Sequence, residues 1–229
     1  MPDTRSMVNP MDAAGCPRWS QYTCLKQDLY RYFYPSDDAP EMGLARKAWT
    51  FVNTQGCWAT TVYRFRRYVL VECRTPVVRQ LLDLSGKFMH KLVEMTTGIH
   101  IRPEIDIGPG LYIGHFGCIF LGGNTRMGMY CNISQENTLG YAGRGDKRGL
   151  PQVGDFVYIG PGAKLIGPIT VGDHAAIGAN AVVTKDVPAG AVAAGVPAKV
   201  ISMAGSHDFV TFCRRKSLLN TGAQTDGQG

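Results

Sequence analysis

The chain has 229 residues, 45% hydrophobic and 18% charged, which is ordinary for a globular protein and enough for one large domain or two modest ones. Its formal net charge of +6 is not gathered into one long block; this favours a modest site for a small polyanion, such as a cofactor with several phosphates, over nucleic acid. Seven cysteines without CxxC spacing indicate neither a disulfide framework nor a zinc site, and no run of about 18 apolar residues offers a membrane span.

Residues 1–19 read as a mobile polar lead-in without the apolar core of a signal peptide, so a reducing, cytoplasmic setting is expected. Residues 20–98 have helical spacing. Leu25, Leu29 and Phe33 stand four apart, and Trp58, Val62, Phe65 and Val69 fall on one helix face. Pro35 and the segment ending at Gly56 separate the earlier helices. The arginine- and aromatic-rich run 63–68 is expected to be a helix with one core face and one solvated face. A longer helix is predicted from Pro76 to about Thr97, with Thr75 as N-cap, Gly98 as stop, and an apolar stripe of Val77, Leu81, Leu84, Phe88 and Leu92.

After Gly98 the period changes to six. Ile101, Ile107, Ile113 and Ile119 keep this step, the frame then skips two residues, and Met127, Ile133 and Leu139 resume it. A polar, glycine-rich loop over 141–152 interrupts the series before Val153, Ile159, Leu165, Val171, Ile177 and Val183. A period of six fits neither an α-helix nor an isolated amphipathic strand. It fits a prism in which each unit is one short strand and one turn, three units to a coil. A second inward position, four residues on, holds Val157, Ala163, Ile169, Ala175, Ala181 and Val187. The 28 glycines crowd into this half, often just after the aliphatic residue, where a tight corner favours them. The fold class is therefore mainly β: a β-helix domain over 99–202, after a helical domain over 20–98. The tail, 203–229, is expected to hold a short helix from Phe209 and then to be disordered.

The segment 159–201, IGPGAKLIGPITVGDHAAIGANAVVTKDVPAGAVAAGVPAKVI, resembles the hexapeptide-repeat acyltransferases, within them the serine O-acetyltransferase branch and its sugar-modifying relatives. The resemblance implies a left-handed parallel β-helix, acetyl-CoA as co-substrate, no metal, and a homotrimer with active sites at subunit boundaries. Exposed repeat ends and edges call physically for caps or oligomer packing as well.

Acyl transfer to a hydroxyl requires a base, donors for the oxyanion and a groove for the CoA arm. His115, in GLYIGHFGC, should project outward near a coil edge, and the matching position in the resembled family holds the catalytic histidine. Cys118 is the competing nucleophile, but nothing nearby indicates a lowered thiol pKa, and it reads as a wall residue. The resemblance further implies that Gly140 offers a backbone N–H near the thioester and that Ala163 and Ala179 line the pantetheine groove. Thr184, Lys185 and Lys199 would approach the nucleotide phosphates.

The acceptor side departs from the serine pattern: His100 replaces an aspartate fifteen positions before the base, Gly114 another aspartate, and Leu150 a histidine before Pro151. His100 is a candidate orienting partner for His115, and the loop residues Arg144, Asp146 and Arg148 are candidate acceptor contacts. These departures lead to the expectation of a sugar, nucleotide-linked sugar or polysaccharide acceptor. L-serine is the alternative, and a non-catalytic repeat scaffold the reading from another class. A β-helix metalloenzyme would need convergent histidines, and His100, His115 and His174 show no close pair.

Overall fold

The computed structural model describes residues 19–123, 125–144 and 148–213. Four helices come first: α1 (Gln21–Phe33), α2 (Leu44–Asn53), α3 (Gln55–Val71) and α4 (Pro76–Thr97). Ser20 caps α1 by accepting from the Thr23 N–H at 3.2 Å. Helix α4 ends at Gly98 in the left-handed region (φ 67°), as its glycine predicts, although Thr75 makes no side-chain cap bond.

Fifteen short strands follow and wind into a three-faced parallel β-helix. The first face holds β1 (Ile99–Ile101), β4 (Ile119–Leu121), β7 (Thr138–Gly140), β10 (Lys164–Ile166) and β13 (Val182–Val183). The second holds β2 (Asp106–Ile107), β5 (Arg126–Met127), β8 (Gln152–Val153) and β11 (Thr170–Val171). The third holds β3 (Tyr112–Ile113), β6 (Asn132–Ile133), β9 (Tyr158–Ile159), β12 (Ala176–Ile177), β14 (Val192–Ala194) and β15 (Lys199–Ser202). Among the named strands of the described residues, only the last pair, β14 with β15, is antiparallel, and it terminates that face. The residues of the six-residue series form one continuous interior column, joined by the second inward position from Val157 to Val187. Stacking identical corners in register buries aliphatic side chains along the whole axis, which is how so short a strand is stable at all.

The pairing register corrects the reading of the frame. Ile101 stacks on Leu121, and Leu121 on Leu139, so Leu121 rather than Ile119 continues the first inward position. The two extra residues therefore lie before β4, not after it. Ile119 is still buried because it fills the second inward position, the place taken by Asn137 one coil on.

The helices cap the first coil through buried polar groups, contrary to the expected solvated arginine face of the run 63–68. Arg64 and Arg67 are both fully buried. Arg64 pairs with Asp28 at 2.7 Å and donates to the carbonyls of Ile107 (2.7 Å) and Gly108 (2.6 Å). Arg67 pairs with Asp106 and donates to the Pro103 carbonyl at 3.1 Å. Arg31 serves Gly110 (2.9 Å) and Thr211 (2.8 Å) in the same way. Asp28 accepts from the N–H groups of Gly110 and Leu111, both at 2.8 Å. The end of a β-helix presents turn carbonyls and amides with no further coil to bond them. These side chains supply the missing partners.

The apolar stripe of α4 is not core within one chain: Val77, Leu81, Leu84, Phe88 and Leu92 are all exposed. The helix packs on α3 by another side, where Gly86 lies against Phe65 and Arg66 and an added Cβ would stand 3.1 Å from Arg66 Cγ. On α1, Leu25, Leu29 and Phe33 are half-buried, while Cys24, Gln27, Asp28, Arg31 and Tyr32 form the buried side. The expected tail helix is not formed over 209–213. That stretch runs along the third face, held by Asn132 donating to the Phe209 carbonyl (2.8 Å) and by Arg31. The rest of that segment, and nearly all of the 1–19 lead-in, lies outside the described residues.

Candidate active site

The corner between the third and first faces carries His115. In the next coil the corresponding stretch runs from Ile133 to Leu139, six positions, whereas Ile113 to Leu121 takes eight. Gly114 corresponds to Ser134, and Cys118, like Glu136, takes a left-handed φ (51° and 60°). The Gly117 carbonyl accepts from the Glu136 N–H at 2.9 Å. The residues without a counterpart are His115 and Phe116. Both side chains are exposed. The insertion thus lifts one imidazole off an otherwise regular corner.

The flanks of this bulge are tied down by hydrogen bonds. The Gly114 N–H bonds the Ile133 carbonyl at 3.2 Å, and the Ile119 N–H bonds the Gly98 carbonyl at 3.0 Å. Tyr32 grips the strand just before the bulge, its hydroxyl accepting from the Ile113 N–H (2.9 Å) and donating to the Ile113 carbonyl (3.2 Å). Gly56, inside α3 rather than between helices, permits this contact: a Cβ there would stand 2.4 Å from the Ile113 oxygen. His115 itself makes no hydrogen bond, ion pair or ring contact with another described residue. Its side chain is exposed.

His100 lies on β1, in the first face, and is held by groups other than His115. Its Nδ1 stands 3.1 Å from Glu94 Oε1, and its ring stacks on Phe120 (5.1 Å) with His90 edge-on at 5.6 Å. Partial burial, with the charges of Arg66 and His100, lowers the His90 pKa. Burial works to raise that of Glu94, but hydrogen bonds and charge from Lys91 and His100 outweigh it and lower the value.

The other predicted residues flank the first face. Gly140 ends β7, buried, with its carbonyl accepting from the Gly167 N–H at 3.0 Å. Ala179 is exposed on the same corner column as His115, two coils beyond the one holding Ser134–Asn137. Ala163 is different: its methyl is fully buried in the core, and its carbonyl and N–H both bond other backbone groups. In the isolated chain it faces the interior rather than an open groove, because it fills the second inward position. Thr184 and Lys185 are exposed after β13, at the opposite corner of the first face, and Lys199 is exposed on β15.

The described flanks of the loop over 141–152 pair at that opposite corner, with Ala142 and Gly149 exchanging N–H···O bonds of 3.1 and 3.0 Å. Arg144 and Arg148 are exposed on those flanks; Asp146 lies outside the described residues. Leu150 folds down against Gly122, where an added Cβ would stand 2.4 Å from its Cδ2. Cys118 is exposed, while burial pushes the thiols of Cys24 to about 11 and of Cys57 and Cys131 to about 12. The buried arginine–aspartate network escaped the sequence reading. No spacing announces it, since arginine on an amphipathic helix ordinarily reaches solvent.

A profile of the bacterial transferase hexapeptide (six repeats) family matches residues 151–185. The serine acetyltransferase of Synechococcus elongatus is 31% identical over 176 residues, covering 77% of this chain and 67% of its own. That of Helicobacter pylori J99 is 41% identical over 117 residues, 51% of this chain and 68% of its own. Among solved structures, a serine acetyltransferase in complex with CoA superposes with TM-score 0.62 at 29% identity, covering 80% of this chain and 70% of that one. A Neisseria gonorrhoeae serine acetyltransferase in complex with serine gives TM-score 0.62 at 27% identity, covering 80% and 69%. These relatives overturn the sugar or polysaccharide acceptor expected from His100, Gly114 and Leu150: three substitutions on the acceptor side do not carry the chain out of the serine branch. On this similarity and this geometry, the chain belongs to the serine acetyltransferase family of hexapeptide-repeat transferases.

Proposed function

We propose that the protein transfers the acetyl group of acetyl-CoA to the side-chain hydroxyl of L-serine, with His115 as general base. The observation that carries this reading is the two-residue insertion that lifts His115, alone and unbonded, from a corner otherwise built like its neighbours. Neutral imidazole accepts the serine hydroxyl proton as the oxygen attacks the thioester carbonyl. The tetrahedral intermediate then collapses with cleavage of the C–S bond, and the imidazolium returns its proton to the departing CoA sulfur. No acyl-enzyme is required, so Cys118 is a bystander. Gly140 is the candidate N–H donor to the oxyanion.

Ala179 beside the His115 column, with Thr184, Lys185 and Lys199 toward the nucleotide, would receive the CoA arm. Ala163, buried in the single chain, would contribute only through the shape of its corner. His100, which within one chain bonds Glu94 rather than His115, would act as a positioning residue, and Arg144, Asp146 and Arg148 of the 141–152 segment would be acceptor contacts. The exposed stripe of α4 and the unbonded His115 fit a homotrimer in which a neighbouring chain completes each site. All six described cysteines are free, which fits a reducing cytoplasm. No helix among the described residues is long and apolar enough to cross a membrane.

The test is release of free CoA thiol from acetyl-CoA with L-serine, against a panel of other hydroxyl acceptors, with the product identified by mass. O-acetylserine is the expected product. Intact acetyl-CoA binding without transfer to serine overturns the proposal.

A further inference from the structure

We propose that His90, Glu94 and His100 form a binding site for one divalent transition-metal ion of the zinc class, at the joint between α4 and the first strand of the β-helix. The three side chains each offer one ligand atom, and these atoms all lie within 4.8 Å of one another. Each side chain is half-buried, so the cluster is neither fully solvated nor closed.

The local structure makes the convergence. His90 and Glu94 are four residues apart on α4, which places them on the same helix face. The chain then turns back at Gly98 with its left-handed φ, and β1 brings His100 against that face. The His100 Nδ1 to Glu94 Oε1 separation, 3.1 Å, is already close to the edge of a tetrahedral zinc site. Ligand atoms about 2.0–2.1 Å from the ion stand roughly 3.3 Å apart. No two of the three ligand atoms are more than 4.8 Å apart, so at most about 1.5 Å of side-chain movement closes any of them to that edge.

The surroundings resemble the outer shell of a metal site. Glu94 has its second oxygen 3.3 Å from the Lys91 ammonium, leaving Oε1 directed at His100. The His100 ring is fixed by its stack on Phe120. Outer partners of this kind orient ligands before an ion arrives. Two imidazoles and one carboxylate suit zinc, with the fourth position left to water. The ion would tie the end of α4 to the first coil, next to Gly98, whose carbonyl holds the His115 turn through Ile119. Spacing alone does not announce this cluster: the ligands sit on two elements, and the turn at Gly98 unites them.

The inference stands apart from the choice of serine as acceptor, because its readout is metal binding. The full chain, stripped with a chelator, is titrated with Zn²⁺ by calorimetry and with Co²⁺ by visible absorption. The expected result is one ion per chain with tetrahedral-type Co²⁺ bands. His90→Gln and Glu94→Gln should each weaken binding by about tenfold or more without altering the circular dichroism of the metal-free protein. His174→Ala, outside the cluster, should change nothing. Failure to bind either ion overturns the site, and so does binding that survives both glutamine variants.

Discussion

Deleting His115 and Phe116 together should leave the fold standing and remove the activity. The deletion joins Gly114 to Gly117 and restores the six-position corner seen from Ile133 to Leu139. The bonds that anchor the corner belong to other residues: Gly114 N–H to Ile133, Ile119 N–H to Gly98, and Glu136 N–H to Gly117. Both lost side chains are exposed, so no core burial is lost, and shortening a surface loop by two residues changes its closure entropy by well under about 1 kcal/mol. The net effect on stability is within about 1 kcal/mol, a shift of roughly 2–4 °C in melting temperature for a chain of this size. Turnover should fall by about 100-fold or more, since the proposed base is gone. A thermal melt and an acetyl-transfer assay on one preparation read both numbers. A fall of more than about 10 °C would refute the register argument, and retained turnover would refute the role of the bulge.

Four further outcomes follow from the buried groups and the exposed Cys118. Asp28→Ala strands the fully buried Arg64 guanidinium and orphans the Gly110 and Leu111 amides; a loss of about 3–5 kcal/mol is expected, read by chemical denaturation. In alkylation mapped by mass spectrometry, exposed Cys118 should label in the folded protein while buried Cys24, Cys57 and Cys131 stay protected until unfolding; Cys118→Ala should keep full transfer activity. Those three thiols rise from 9.0 to about 11–12 on folding, so the unfolded chain loses their protons first. Their contribution is complete below the unfolded value and declines as pH climbs toward the folded values, by about 1 kcal/mol per thiol per pH unit, which denaturation at stepped alkaline pH measures.

Much of the β-helix could be read directly, because an interior column repeats one steric requirement every six residues. The misplaced skip has a definite cause. An insertion of two residues moves the next count of six from the first inward position onto the second, so Ile119 is buried either way and hydrophobicity cannot distinguish them. Pairing register can. Helix α4 was legible as a helix but its apolar stripe was not legible as exposed, since one periodicity serves a core and a surface awaiting a partner equally. The run 63–68 is expected to have one solvated face, yet Arg64 and Arg67 are buried: their partners are backbone carbonyls of a coil end and the distant Asp28 and Asp106, which leave no trace in local spacing. On the site, His115 is singled out by its resemblance to the family's catalytic position rather than by the repeat alone. The engagement of His100 by Glu94 and His90 depended on a chain reversal at Gly98 that spacing alone does not fix in three dimensions.

The most direct measurement of the central claim is acetyl transfer to L-serine by the wild-type chain and by His115→Ala, with CoA affinity measured on the same samples. The account predicts O-acetylserine from the wild type, a loss of about 100-fold or more in turnover for the variant, and unchanged CoA affinity. Undiminished turnover by His115→Ala would contradict it.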